Sequence, residues 1–424
     1  PDQLTVRRQT VVTIASQSVS ISTGANETFD TVNTDNFMIG VIEEASGSPT
    51  LTNGDVLNIE DFTTNVTSSG SGQSISISGF NAADDGAVLK ITFTIDINSP
   101  VNRDKTLRKS RVLKVGNSRS TGGFYGTCYD DRDISLGVAD VFKVRAIYES
   151  DGVAEALPPS AVITETGSAS FQNFETITNG AGDKAVFVNY GGTGNTSHFY
   201  YIGTGTFSNS DTITGETSSA TGTLATVTTG SKNITGRYFF DDGQRDGYYD
   251  LGKITLKQGE PSPSNSILVV FDYFTVSGAG DFFDVNSYSD VNYKDIPKYT
   301  PNRIDLGGLE PDGQFELSDA VDFRPVVGQI LGTTTFSSGT PDPTSPIDLS
   351  NTSSGAVSSP FSYTSRSFKG AVSGITATGA SATDVPVNGT NVVGDIGFYV
   401  GRIDKIFLHK EGSFEVSVGT PALS

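Results

Sequence analysis

Four carboxylates, Asp241, Asp242, Asp246 and Asp250, fall within ten residues around Arg245, a density that could hold a divalent cation. Their order lacks the Asp-x-Asp-x-Asp-Gly run and distal glutamate of a helix-loop-helix calcium loop. The same residues read better as architecture. Asp241-Asp-Gly243 has the composition of a turn whose Asp side chains accept bonds from nearby backbone amides. Arg245 can then neutralise its acidic neighbours through forked hydrogen bonds. The four aspartates remain weak metal candidates beside that reading, and no cofactor is expected.

Other chemistry has little to stand on. The chain has two histidines, His198 and His409, far apart in sequence, whereas nucleophilic catalysis needs a base held beside its nucleophile. Both are expected at the surface, His198 in the Gly-rich loop Gly191-Gly-Thr-Gly-Asn-Thr-Ser-His198 and His409 beside a hairpin turn. That loop lacks the Lys-Ser/Thr ending of a phosphate loop. Carboxylate pairs for glycoside hydrolysis abound, but Trp, the favoured stacking surface for sugars, is absent. The expectation is a protein that is not an enzyme.

A basic run, Arg103, Lys105, Arg108, Lys109, Arg111 and Lys114, stands out in a chain of net charge −20. It lacks the interleaved aromatics of a nucleic-acid groove. It reads either as a strand edge kept from aggregating by its charges or as a contact for an acidic neighbouring subunit. These six are the interface candidates. The acidic balance disfavours nucleic acid and anionic membranes, and no run approaches the roughly 20 apolar residues of a spanning helix. Cys128, the single cysteine, cannot form an internal disulfide. A start at Pro1 rather than Met suggests processing or a fragment.

The elements that must position these residues are strands. At 424 residues, with 48 Gly and no sustained apolar repeat at helical spacing, the chain predicts an all-β fold of several Ig/fibronectin-like sandwich modules. Residues 1–115 carry period-2 runs such as Ser74-Ile-Ser-Ile-Ser78 and Val88–Ile97, an N-terminal β-sandwich. A second sandwich is expected from 116–160 plus 233–275, with Val138–Tyr148 as one strand ended before Pro158-Pro159. Between its halves, 161–232 is Gly/Ser/Thr-rich, and Phe171-Gln-Asn-Phe-Glu-Thr-Ile-Thr178 echoes Phe207-Ser-Asn-Ser-Asp-Thr-Ile-Thr214 at an offset of 36. This stretch is read as a small inserted β domain, separable enough to be replaced by a short linker. Residues 276–424 form a C-terminal β-rich domain, with an exposed loop at about 335–365 and final strands meeting at the turn Lys410-Glu-Gly412.

The segment Gln244-Arg-Asp-Gly-Tyr-Tyr-Asp250, the strand Leu268–Phe274, Gly280-Asp-Phe-Phe-Asp-Val285, Asp322-Phe-Arg-Pro325 and Arg402-Ile-Asp404 occur in that order. Together they resemble a family of uncharacterised virion structural proteins of tailed phages, notably T4-like cyanophages. The resemblance runs from about Asp130 to the C-terminus, and residues 1–115 and 161–232 lie outside its strongest part. It implies a structural part of a virion, in the tail, baseplate or an attached fibre, found in the particle and extracellular after release. Its motif residues, Arg245, Asp246, Tyr248, Tyr249, Asp250, Asp322, Phe323, Arg324 and Pro325, are read as scaffolding. The implied partners are other virion proteins and further copies of the chain, a trimer being favoured because small β cores gain burial by assembly. Two rivals stand: a receptor-binding adhesin for cell-surface glycan, and a bacterial surface or filament protein.

Overall fold

The computed structural model describes residues 3–24, 26–62, 66–116, 128–152, 154–277, 282–300, 315–327, 340–348, 367–369, 376–378, 386–387, 389–394 and 403–420. Among them there are strands and short 3-10 turns and no α-helix, so the chain is all-β with several sheets. Two compact units are present. One takes Pro1–Asn102, Glu316–Phe323 and Thr383–Ser424; the other takes Arg103–Phe315 and Arg324–Ala382.

In the first unit the strands are β1 (Gln3–Thr13), β2 (Ser18–Ser22), β3 (Glu27–Phe29), β4 (Phe37–Glu43), β5 (Val56–Leu57), β6 (Val66–Ser68), β7 (Ser74–Ser78) and β8 (Val88–Asn98). β8 is the centre of the larger sheet and pairs antiparallel with β1, β4 and β3. Its alternation buries Leu89, Ile91, Phe93, Ile95 and Ile97, joined by Phe37, Ile39 and Val41 from β4. A second sheet, β2-β7-β6, buries Val19, Ile21, Ile75 and Ile77 from its Ser-x-Ser-x-Ser strands. The unit's first segment ends at Asn102, before the expected boundary at 115. The reason is pairing: the strand that follows belongs to the other unit.

That second unit contains β9 (Asp104–Val115), β10 (Asp133–Ala139), β11 (Val141–Glu149), β12 (Ser160–Thr166), β13 (Thr176–Asn179), β14 (Lys184–Asn189), β15 (Thr196–Ile202), β16 (Thr212–Gly215), β17 (Thr221–Thr228), β18 (Lys232–Asn233), β19 (Tyr238–Asp241), β20 (Leu251–Leu256) and β21 (Ile267–Ser277). A sheet ordered β18-β11-β21-β9, extended by Ile347–Asp348, lies over a sheet ordered β10-β20-β19. Their shared core holds Leu113, Val115, Ile134, Leu136, Val138, Ile147, Ile254, Ile267, Val269 and Phe271. The strand expected over Val138–Tyr148 is two strands in two sheets. The chain turns between them at Asp140, in the left-handed region at φ 55°.

β21 is apolar at consecutive positions because both of its faces are covered. Ile267, Val269 and Phe271 point into the sandwich, while Leu268 and Val270 join Val112, Ala146, Tyr148, Val186, Val188 and Tyr200 in a second cluster. The last three come from the 160–228 segment, a closed six-stranded barrel ordered β12-β15-β14-β13-β16-β17. This barrel therefore caps the outer face of the five-stranded sheet, and replacing it by a linker would strip that face.

The barrel is built from a tandem repeat far longer than the eight-residue echo. β12 and β15 start 36 residues apart, as do β13 and β16, while the third strands align one residue further on, with Phe187 matching Leu224. The strand order maps onto itself when the halves are exchanged, giving a pseudo-twofold barrel. Gly167 and Gly203, in matching turns, adopt φ 101° and 88°, where only glycine is unstrained. Glu175 and Asp211 accept the amides of Gln172 (2.5 Å) and Ser208 (3.0 Å); Asn173 and Asn209 accept those of Tyr190 (2.7 Å) and Val227 (2.8 Å).

The expected C-terminal domain at 276–424 is divided between the two units. Most of the loop expected at 335–365 lies outside the described residues. The final hairpin is present, with Lys405–Leu408 paired to Phe414–Ser417.

Candidate functional site

The connection between β19 and β20 is a compact hydrogen-bonded turn. Gly243 accepts the Asp250 amide at 2.7 Å, Tyr248 accepts the Arg245 amide at 2.9 Å, and Gln244 bridges Tyr249. Gly243 sits at φ 87°, and a Cβ there would lie 2.2 Å from the Asp250 carbonyl, so a side chain is excluded. Arg245 donates from both terminal nitrogens to the two oxygens of Asp241, each at 2.9 Å. Burial alone would raise the Asp241 carboxyl, but Arg245 and the Gly243 amide bring it below its ordinary value. Asp242 moves the other way, raised by burial and by the neighbouring charges of Asp241 and Asp140.

Three of these aspartates are already engaged, Asp241 with Arg245. Asp242 accepts from the Gln244 amide, Asp250 from the Leu251 amide, and Asp246 is exposed. Among the described residues no group of three His, Cys, Asp or Glu side chains converges as a metal site.

Tyr249, fully buried, is the centre of a larger constellation. Its amide donates to the Pro325 carbonyl at 2.8 Å, and Arg324 donates to its hydroxyl (3.0 Å), to Gln244 Oε1 (3.1 Å) and to the Arg245 carbonyl (3.0 Å). The Arg324 guanidinium lies 4.3 Å from the Tyr249 ring centroid and 4.5 Å from that of Tyr299. Lys105 approaches the same Tyr249 ring at 4.0 Å, with Phe283 at 4.4 Å, Tyr288 at 5.0 Å and Phe274 at 5.7 Å. Its Nζ is 2.8 Å from Asp140 Oδ2, both side chains being buried. Motif residues scattered over 105–325 thus meet around one tyrosine. Asp322, buried, and Phe323, half-buried, belong to the first unit.

The basic run is not the charged surface it suggested. Arg103, Lys105 and Arg111 are buried; β9 pairs with β21 along its length, Ile347–Asp348 covers its other edge only at Leu113 and Lys114, and Arg103 and Lys105 lie against aromatic rings. Arg103 stacks 5.3 Å from the Phe283 ring centroid. Burial lowers Arg111's affinity for its proton, opposed by nearby Tyr273 and Asp272. Arg108 is half-buried and donates to Thr275 Oγ1, and Lys114 pairs with Glu155 at 2.5 Å. Lys109 is exposed. The interleaved Leu107, Val112 and Leu113 carried the signal for an interior strand.

His198 is buried against expectation, Nδ1 meeting Asn189 Oδ1 at 3.2 Å; burial lowers its basicity. His409 is at the surface and meets Glu415 at 2.8 Å.

Among the described residues, the final hairpin exposes a row of apolar side chains. Its register places Ile406 opposite Val416 and Leu408 opposite Phe414, so these side chains share one face with Val418. Their exposures are 69, 54, 66, 73 and 60%. Sequence reading found the hairpin but not its unburied face, since alternation alone does not say whether anything covers it. Comparison of the chain with protein-family models, with curated proteins and with solved structures gave no match.

Proposed function

We propose that this chain is a structural component of a phage virion, in the tail, baseplate or an attached fibre, working through protein contacts and not through catalysis. The observation that carries the assembly reading is the C-terminal hairpin. A lone two-stranded hairpin is marginal in water, and this one shows a five-residue apolar face. At roughly 150–200 Å² for a large apolar side chain, the face exposes roughly 500 Å². Two copies would bury roughly 1,000 Å², the lower limit for a specific interface; in a trimer the same faces give roughly 500 Å² per pair, so further contacts must contribute. The five side chains are apolar, so copies of a chain carrying −20 can meet there through uncharged groups. The proposed occupant is a further copy of this chain, in a trimer. The ordered motifs around Tyr249 support the virion setting through the resemblance they carry.

Sedimentation equilibrium of the full chain beside Ile406→Ser/Val416→Ser tests this. A trimer for the parent and a monomer for the variant are expected. A parent that stays monomeric, or a variant that assembles equally, overturns the hairpin as the contact.

A further inference from the structure

We propose that Lys105 and Asp140 form an intramolecular isopeptide bond, Nζ to Cγ, that ties β9 to the corner between β10 and β11. The inference does not depend on the virion reading. It starts from a juxtaposition that is costly as an ion pair: a lysine with a fully buried side chain, 2.8 Å from a carboxylate that is 4% exposed, walled by Tyr249, Phe274, Phe283 and Tyr288. Desolvating two charges in such a place costs several kcal/mol per ion. Condensation removes both charges and leaves a neutral amide among aromatic rings.

The geometry also supplies reactivity. Asp140 is held at φ 55°, and its carbonyl accepts the Phe274 amide at 2.9 Å, so its backbone is fixed from two sides. β9 is held along its length by β21, which fixes Lys105 opposite Val276. Nucleophile and acyl carbon belong to one folded chain, so their encounter is unimolecular, the condition that gives the largest effective concentrations.

The step balances without a co-reactant. A proton passes from the Lys105 ammonium to the Asp140 carboxylate, giving amine and acid. The amine lone pair attacks Cγ of that acid, giving a tetrahedral intermediate. There the surplus proton on Nζ passes to a hydroxyl of the former carboxyl, the C–O bond breaks, and that hydroxyl leaves with the proton as water, so amine and acid become amide and water.

The test is the intact mass of the purified, denatured full-length chain, followed by tryptic mapping. The expected result is a mass lower than the sequence by one water, with peptides Asp104–Arg108 and Asp133–Lys143 recovered as one joined species uncut after Lys105. Lys105→Arg should carry the full mass, and Asp140→Gly, which suits the left-handed backbone there, should likewise carry its full mass with the two peptides separate. A parent at full mass overturns the proposal and leaves Lys105 as a caged cation. A water loss that persists in Lys105→Arg also overturns it, assigning the loss to succinimide at an Asp-Gly pair.

Discussion

Replacing Arg324 by Ala should destabilise the second unit more than any surface substitution. The guanidinium donates three hydrogen bonds, to the Tyr249 hydroxyl, Gln244 Oε1 and the Arg245 carbonyl, and stacks against Tyr249 and Tyr299. Charge-assisted bonds contribute about 1.5–3 kcal/mol each in favourable cases, and cation–π contacts about 0.5–2 kcal/mol. The site is half-buried and the contacts share partners, so they do not add; about 3–4 kcal/mol is the reasoned loss. For a unit of this size that lowers the melting temperature by roughly 6–16 °C. Arg324→Lys keeps the charge but not the fork and should recover less than half of the loss. Differential scanning calorimetry of parent and both variants reads all three values. A loss below about 1 kcal/mol for Arg324→Ala, or full recovery by Lys, would refute the claim that this arginine clamps the turn to Tyr249.

Phe171→Ala and Phe207→Ala, at matched positions of the pseudo-twofold barrel and equally buried, should each cost about 3–5 kcal/mol, and thermal melts differing by more than about 2 kcal/mol would count against the equivalence. Replacing 161–228 by a Gly-Ser linker should expose Ala146, Tyr148, Leu268 and Val270 and produce strong binding of a hydrophobic dye; a soluble product with no added dye binding would contradict the capping role. Asp84 is buried, and burial alone would raise its carboxyl, but bonds from Thr50 and the Leu51 amide hold it below its ordinary value of 3.8. The stability it contributes is therefore present above pH 3.8 and lost as pH falls through the lower folded value. Asp84→Asn should be less stable than the parent by about 2 kcal/mol at neutral pH and converge on it in acid; a gap independent of pH would assign the loss to geometry alone.

Local pattern was enough to read the β class. Ser74–Ser78 and Val88–Asn98 alternate as half-buried strands and occur as such, and the unbroken apolar run of β21 is accounted for by its two covered faces. The echo between Phe171 and Phe207 exposed a repeat whose full three-stranded length was hidden, because the third strands drift by one residue and keep burial more than identity. The basic run misled because charge reports surface only on average. Which side chains of β9 are covered depends on partners such as β21, more than 150 residues away, and no local window contains that. Of the four aspartates, Asp241, Asp242 and Asp250 serve the turn through bonds from Arg245 or backbone amides, while Asp246 is exposed. The gathering of Lys105, Asp140, Phe283 and Arg324 on Tyr249 was not legible, although several of them stood in the quoted motifs.

The central claim is that this chain works as a built-in part of a particle. Quantitative mass spectrometry of purified phage particles and of their disassembled tails addresses it directly. The account predicts the chain in fixed copy number, in multiples of three, enriched in the tail fraction. Recovery only from host-cell envelopes, with none in the particles, would contradict it.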